Sequence, residues 1–189
     1  KTEDFWTTSV QFKRDVRAFF REQEEARNWT VLELGAYRGY TTRVLSELFR
    51  LVLSVDASST FLGDSRRNNG DRDNIVYLNL HSQHDGLRSL RQNDVQVAFI
   101  DAEHDYDSVK RDTREVLRLF GKTLRLLVFD DYGTDEGVKR VVQELVQGNH
   151  LEVIGGFGNR PPWSYHGDVV HDWEGVVCKV LAPSGPSAS

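Results

Sequence analysis

The chain has 189 residues, 39% of them hydrophobic and 11% aromatic, enough for one core at about 150 residues per domain and too apolar for a disordered polymer. Its 24 basic and 29 acidic residues leave a net charge of −5, without the broad cationic footprint of a nucleic-acid backbone binder. No apolar run approaches the about 20 residues of a membrane span, and Cys178, the only cysteine, excludes an internal disulfide or a cysteine-rich zinc site.

The sequence begins at Lys1 and contains no methionine, which reads as a cut or processed chain. Residues 8–26 pattern as an amphipathic helix, with Val10, Val16, Phe19 and Phe20 on one face. Short apolar runs then follow at Val31–Leu34, Leu51–Val55, Ile75–Leu80, Val95–Ile100 and Leu124–Phe129. They alternate with helical segments over 40–50, 58–68, 85–92, 105–120 and 135–147, the signature of a parallel sheet covered on both faces. Leu151–Ile154 and Gly175–Leu181 leave no room for an ordinary crossover helix and are expected to pair antiparallel at one edge. The expectation is therefore an α/β, Rossmann-like fold: seven strands, mostly parallel, helices on both faces and one antiparallel strand near the C-terminus. A single domain is expected over 1–182, with 1–29 as a helical lead-in, 30–182 as the core and 183–189 as a flexible tail.

The first strand runs into Glu33-Leu34-Gly35-Ala36-Tyr37-Arg38-Gly39-Tyr40-Thr41 and then a helix. A glycine-bearing turn there lets a ligand approach the backbone beside unsatisfied helix N–H groups. The Gly-x-x-x-Gly spacing is not the dinucleotide fingerprint, and Glu33 suits a cationic or hydroxyl-bearing ligand better than a pyrophosphate. The second strand ends at Asp56, about 20 residues on, where doubly wound folds hold a ribose diol. Each motif alone is equally a tight turn or a strand-end acid; together they point to a nucleoside.

This pairing resembles the donor site of class I S-adenosylmethionine-dependent methyltransferases over nearly the whole chain. Two further segments, Phe99-Ile100-Asp101-Ala102-Glu103-His104-Asp105-Tyr106 and Val128-Phe129-Asp130-Asp131-Tyr132, resemble the metal-dependent small-molecule O-methyltransferases of the catechol, caffeoyl-CoA and sugar-modifying types. The resemblance implies S-adenosylmethionine against Glu33, Gly35, Ala36, Tyr37, Gly39, Thr41, Asp56, Ala57, Ser82 and Asp101. It also implies a divalent metal on Asp101, Asp130 and Asp131, with His104 or Glu103 as general base. Physical chemistry agrees: the fourth and fifth strand ends are neighbours, three clustered carboxylates need a compensating cation, and all-oxygen ligation favours Mg²⁺, with Ca²⁺ or Mn²⁺ as alternatives. A plain structural role remains open for each of these acids as a helix cap or a solvated strand end.

The function expected is O-methylation of a small hydroxylated acceptor, with no nucleic acid and no membrane span. Assembly as a homo-oligomer is left open, and a soluble, cytoplasmic location is favoured. The alternatives are a methyltransferase-like binding module without turnover and a nicotinamide-dependent oxidoreductase. The second is opposed by Glu33 and the missing third glycine. Arg160–His166 is either a lid with aromatic stacking faces or an exposed connector. Cys178 is expected to be buried and inert.

Overall fold

The computed structural model describes residues 7–81, 86–158 and 173–181. Ser82, the Arg160–His166 segment and the expected tail 183–189 lie outside them.

The first helix, α1 (Val10–Arg21), starts where the Ser9 hydroxyl accepts from the Phe12 N–H. Phe12, Val16 and Phe20, four residues apart, form its buried stripe. It stops short of the expected residue 26, and Glu24–Asn28 forms a separate 3₁₀ turn. Glu22, Glu24 and Glu25 would oppose the helix dipole at that C-terminus.

The strands are β1 (Thr30–Leu34), β2 (Leu51–Asp56), β3 (Ile75–Asn79), β4 (Val97–Ile100), β5 (Leu126–Phe129), β6 (Leu151–Phe157) and β7 (Gly175–Val180). Between them run α2 (Tyr40–Leu48), α3 (Ser59–Asn68), α4 (Tyr106–Phe120) and α5 (Glu136–Gln147). The sheet order is β3-β2-β1-β4-β5-β7-β6. β1 to β5 pair in parallel, and β7 is the reversed strand, antiparallel to both β5 and β6. This is the mostly parallel, Rossmann-like sheet read from the sequence.

Side-chain alternation along the central strands divides the core between the two faces. Leu32, Leu34, Leu53, Val55, Ala98, Ile100, Leu127 and Phe129 pack with Val109, Val116, Val138 and Val141 of α4 and α5. Val31, Val52, Val97, Phe99 and Val128 face Phe12, Phe20, Val44 and Leu45 of α1 and α2. The helix expected over 85–92 is instead a 3₁₀ turn, Gly86–Leu90. Leu87 and Leu90, both buried, lie three residues apart and so fall on one side of a 3₁₀ turn. β6 continues past the expected Ile154 through a register shift between Val153 and Gly155. A side chain at Gly156 would enter the Trp173 ring, with atoms about 2.0 Å away, so glycine is what lets that indole lie on the strand.

Candidate active site

Parallel strands that end together put their loops on one edge, and the candidate residues meet there. At the end of β1 the Gly35 N–H donates to the Val55 carbonyl (2.9 Å) and the Leu34 carbonyl accepts from the Asp101 N–H (2.9 Å). Gly35 has φ +93°, and a Cβ there would lie 1.9 Å from the Asp101 carbonyl oxygen. The loop thus needs glycine both for its dihedral and for the close approach to the end of β4. Tyr37 (φ 43°) and Gly39 (φ 78°) are also left-handed, and Gly39 leads directly into α2. The Asp56 carboxylate holds this turn: Oδ2 accepts from the N–H groups of Ala36 (3.0 Å) and Tyr37 (2.9 Å), and Oδ1 from Ser58 (2.7 Å).

Beneath the loop lies Glu33, fully buried. Oε2 accepts from the hydroxyls of Thr42 and Ser54, each at 2.7 Å, while Oε1 has no partner. Burial pushes its pKa up to about 7, against the lowering effect of the two hydroxyls.

Above it opens a cavity of about 570 Å³, within the range of small-ligand sites. Leu34, Val55, Ala57, Phe61 and Leu80 give it an apolar wall, and the Tyr37 ring meets Phe61 edge-on at 4.8 Å. Gly35, Ala36, Tyr37, Thr41, Asp56, Ala57 and Asp101 line it, as do Glu103, His104, Asp130 and Asp131. Of the other expected donor contacts, Glu33 is fully buried and does not line the cavity, and Gly39 packs against Ser65 and Asn69. The cavity brings together the rest of those that fall within the described residues.

At the acidic end Asp101, Asp130 and Asp131 all line the cavity, and Asp101, His104 and Asp131 each offer a ligand atom, these atoms lying within 4.8 Å of one another. His104 Nε2 is 3.2 Å from Asp131 Oδ2, and Thr134 donates to Asp131 Oδ1 (2.7 Å). Asp130, 8% exposed, is hydrogen-bonded to Asp101, and its Oδ1 is buried without a partner. Burial, then mutual repulsion among the acids, holds the Asp101 and Asp130 pKa values well above the ordinary carboxylate range. Asp131 sits at φ +56°, a conformation that costs an L-residue on the order of 1–2 kcal/mol and that Asp tolerates better than most. Asp105 and Asp135 cap α4 and α5, accepting from N–H groups of their first turns.

Among the lining residues that sequence reasoning missed, Glu174 and Thr8 are tied most closely to the site. Glu174, just before β7, lines the cavity and accepts from the Ser9 N–H (2.6 Å) and the Ser9 hydroxyl. Burial raises its pKa, against the lowering by Ser9. Thr8, ahead of α1, also lines the cavity, and its hydroxyl meets that of Thr41 at 2.9 Å. The signal for Glu174 was topological: the residue leading into a reversed strand lies at the carboxyl edge of its parallel neighbours.

Comparison with known proteins places this edge in context. Residues 32–132 match a family described as a methyltransferase domain. The chain belongs to that family, and its fold is that of the class I S-adenosylmethionine-dependent methyltransferases. Among solved structures it is similar to an O-methyltransferase from Bacillus cereus in complex with S-adenosylhomocysteine (15% identity, TM-score 0.63, covering 95% of this chain and 84% of the other). It is likewise similar to the magnesium protoporphyrin IX methyltransferase of Synechocystis PCC 6803 with bound S-adenosylmethionine (10%, 0.67, 96% and 86%). An rRNA methylase from Streptococcus thermophilus is a third such structure (14%, 0.63, 93% and 100%). At these identities the likeness is one of fold. A search of curated proteins gave no significant match.

Proposed function

We propose that this chain transfers the methyl group of S-adenosylmethionine to a hydroxyl of a small acceptor, assisted by a divalent cation, within one unit spanning residues 1–182. One observation carries the reading: a single cavity joins the Gly35–Gly39 turn and Asp56 to the acidic cluster after β4 and β5.

The residues fit both groups. The apolar wall around Phe61 and Leu80 suits a nucleobase, and Asp56, at the mouth of β2, retains lone pairs for ribose hydroxyls. Asp130 Oδ1, buried and unpartnered, beside an Asp101 it repels, is a donor set that a hard cation would relieve. Asp101, Asp130 and Asp131 would hold that cation, with His104 adjoining.

When bound, the donor supplies an electrophilic sulfonium methyl, and Mg²⁺, or alternatively Ca²⁺ or Mn²⁺, a charge that acidifies an acceptor hydroxyl. The protein's own part is binding, alignment and proton transfer. Asp131 orients His104 through Nε2, which leaves Nδ1 to take the hydroxyl proton. Glu103, exposed at the same rim, is the alternative base. The dense negative charge favours a small acceptor over a nucleic-acid backbone.

The test is transfer of labelled methyl from S-adenosylmethionine to a panel of small diols, with Mg²⁺ and with excess chelator. Transfer that chelator abolishes supports the reading; full activity in chelator removes the cation from it. Donor binding without transfer to any diol supports the binding-module alternative instead.

A further inference from the structure

We propose that Glu174 is a positioning residue for the methyl donor: by holding Ser9 it fixes Thr7 and Thr8 as a wall at the donor end of the cavity. The inference rests on the methyl-transfer reading and adds to it the element that retains the donor.

The short stretch ahead of α1 is tied to both halves of the site. The Ser9 N–H donates to Glu174 Oε1 (2.6 Å) and the Ser9 hydroxyl to Oε2. One residue earlier, the buried Thr8 shares a hydrogen bond with the Thr41 hydroxyl (2.9 Å), and its carbonyl accepts from the Lys13 ammonium. Thr41 stands in the first turn of α2, directly after the Gly35–Gly39 turn. Glu174 is anchored in turn to the loop after β5, its carbonyl accepting from the Gly133 N–H (3.3 Å). Thr7, Thr8, Thr41 and Glu174 all line the cavity. The wall is thus pinned to the donor turn on one side and to the acidic end on the other.

Docking α1 onto the sheet does not require Glu174. Phe12, Val16 and Phe20 are buried in the core, Phe12 meets Phe157 edge-on at 5.7 Å, and Asp15 accepts from the Gly158 N–H (2.9 Å). Ser9 also caps the helix by itself, accepting from the Phe12 N–H. What Glu174 adds is the direction in which the chain enters the helix, and hence the place of Thr7 and Thr8. A carboxylate here feels the like charge of Asp131, offset in part by Lys13, so an acid used only as an anchor would carry a cost that a neutral side chain avoids. A wall held in place beforehand spares the donor the cost of ordering it. Released from Glu174, the wall would have to be ordered on binding, and the donor would leave faster.

The experiment titrates S-adenosylhomocysteine into the full chain and its variants by calorimetry, with a thermal melt of each. This ligand carries no net charge, so its affinity reads the wall's position rather than the charge of Glu174. Glu174→Ala should weaken binding at least about tenfold, the value of one charge-assisted hydrogen bond, and speed release of labelled ligand in a chase. Glu174→Gln offers Ser9 an amide oxygen for its N–H and an amide N–H for its hydroxyl, and should stay within about threefold of the parent. Thr8→Val keeps the shape and loses the bond to Thr41. Combined with Glu174→Ala it should fall no more than about twofold below the weaker single variant, since both act on one wall. Ser9→Gly, which retains a competent helix cap, is the second route should Glu174→Ala fail to fold, and should also weaken binding. Parent-like affinity in Glu174→Ala or Ser9→Gly, a Glu174→Gln as weak as the alanine variant, or fully additive losses overturn the proposal while the methyl-transfer reading stands. No binding to the parent strikes that reading, and the proposal with it.

Discussion

Replacing Glu33 by glutamine tests the burial argument at the base of the site. In the folded chain its pKa lies at about 7 against an ordinary 4.5. The native state therefore holds the proton more tightly than the unfolded chain. Stability from this group is fully present below about pH 4.5 and is lost as pH rises through about 7. At 1.36 kcal/mol per unit, the full loss is about 3 kcal/mol. The amide would mimic the protonated acid, its oxygen still accepting from Thr42 and Ser54. E33Q should thus exceed the parent by about 3 kcal/mol at pH 8.5, or roughly 6–12 °C in Tm for a chain of this size. At pH 5 the gap should shrink below about 1 kcal/mol. Urea melts at the two pH values measure it. A variant no more stable at pH 8.5, or a gap that does not change with pH, would refute the reasoning.

Gly35→Ala forces a Cβ to 1.9 Å from the Asp101 carbonyl oxygen at φ +93°; it should cost more than about 2 kcal/mol by chemical denaturation and abolish donor binding. Mg²⁺ or Mn²⁺ should raise the Tm of the parent chain, and Asp130→Asn should remove most of that rise; an equal rise in the variant would place the cation elsewhere. His104→Ala should lower the rate of methyl transfer by about 10²–10⁴, the range for one general base, and a full rate would move that role to Glu103. Cys178 is buried, and burial pushes its thiol up to about 12, so a disulfide reagent should label it only in denaturant.

The sheet and the donor turn were legible because both are written locally. Apolar runs separated by helical periods fix a parallel sheet, and the Gly35-to-Asp56 separation follows from one strand–helix–strand unit. The state of Glu33 was not legible. That Ser54 stands opposite it depends on the β1–β2 register, and that Thr42 reaches it depends on how α2 packs. The part of Glu174 was hidden for a similar reason, since only the reversal of β7 carries the residue just before it to the site. The helix at 85–92 failed differently: its apolar spacing fits either helix type, and five residues are too few for an α-helix to hold itself.

The most direct test of the account is a calorimetric titration of S-adenosylhomocysteine into the parent chain and into Asp56→Ala. The account predicts one site per chain in the parent. It predicts binding at least about tenfold weaker in the variant, which loses charge-assisted hydrogen bonds worth about 1.5–3 kcal/mol each. Equal affinity in both, or no binding to the parent, would contradict it.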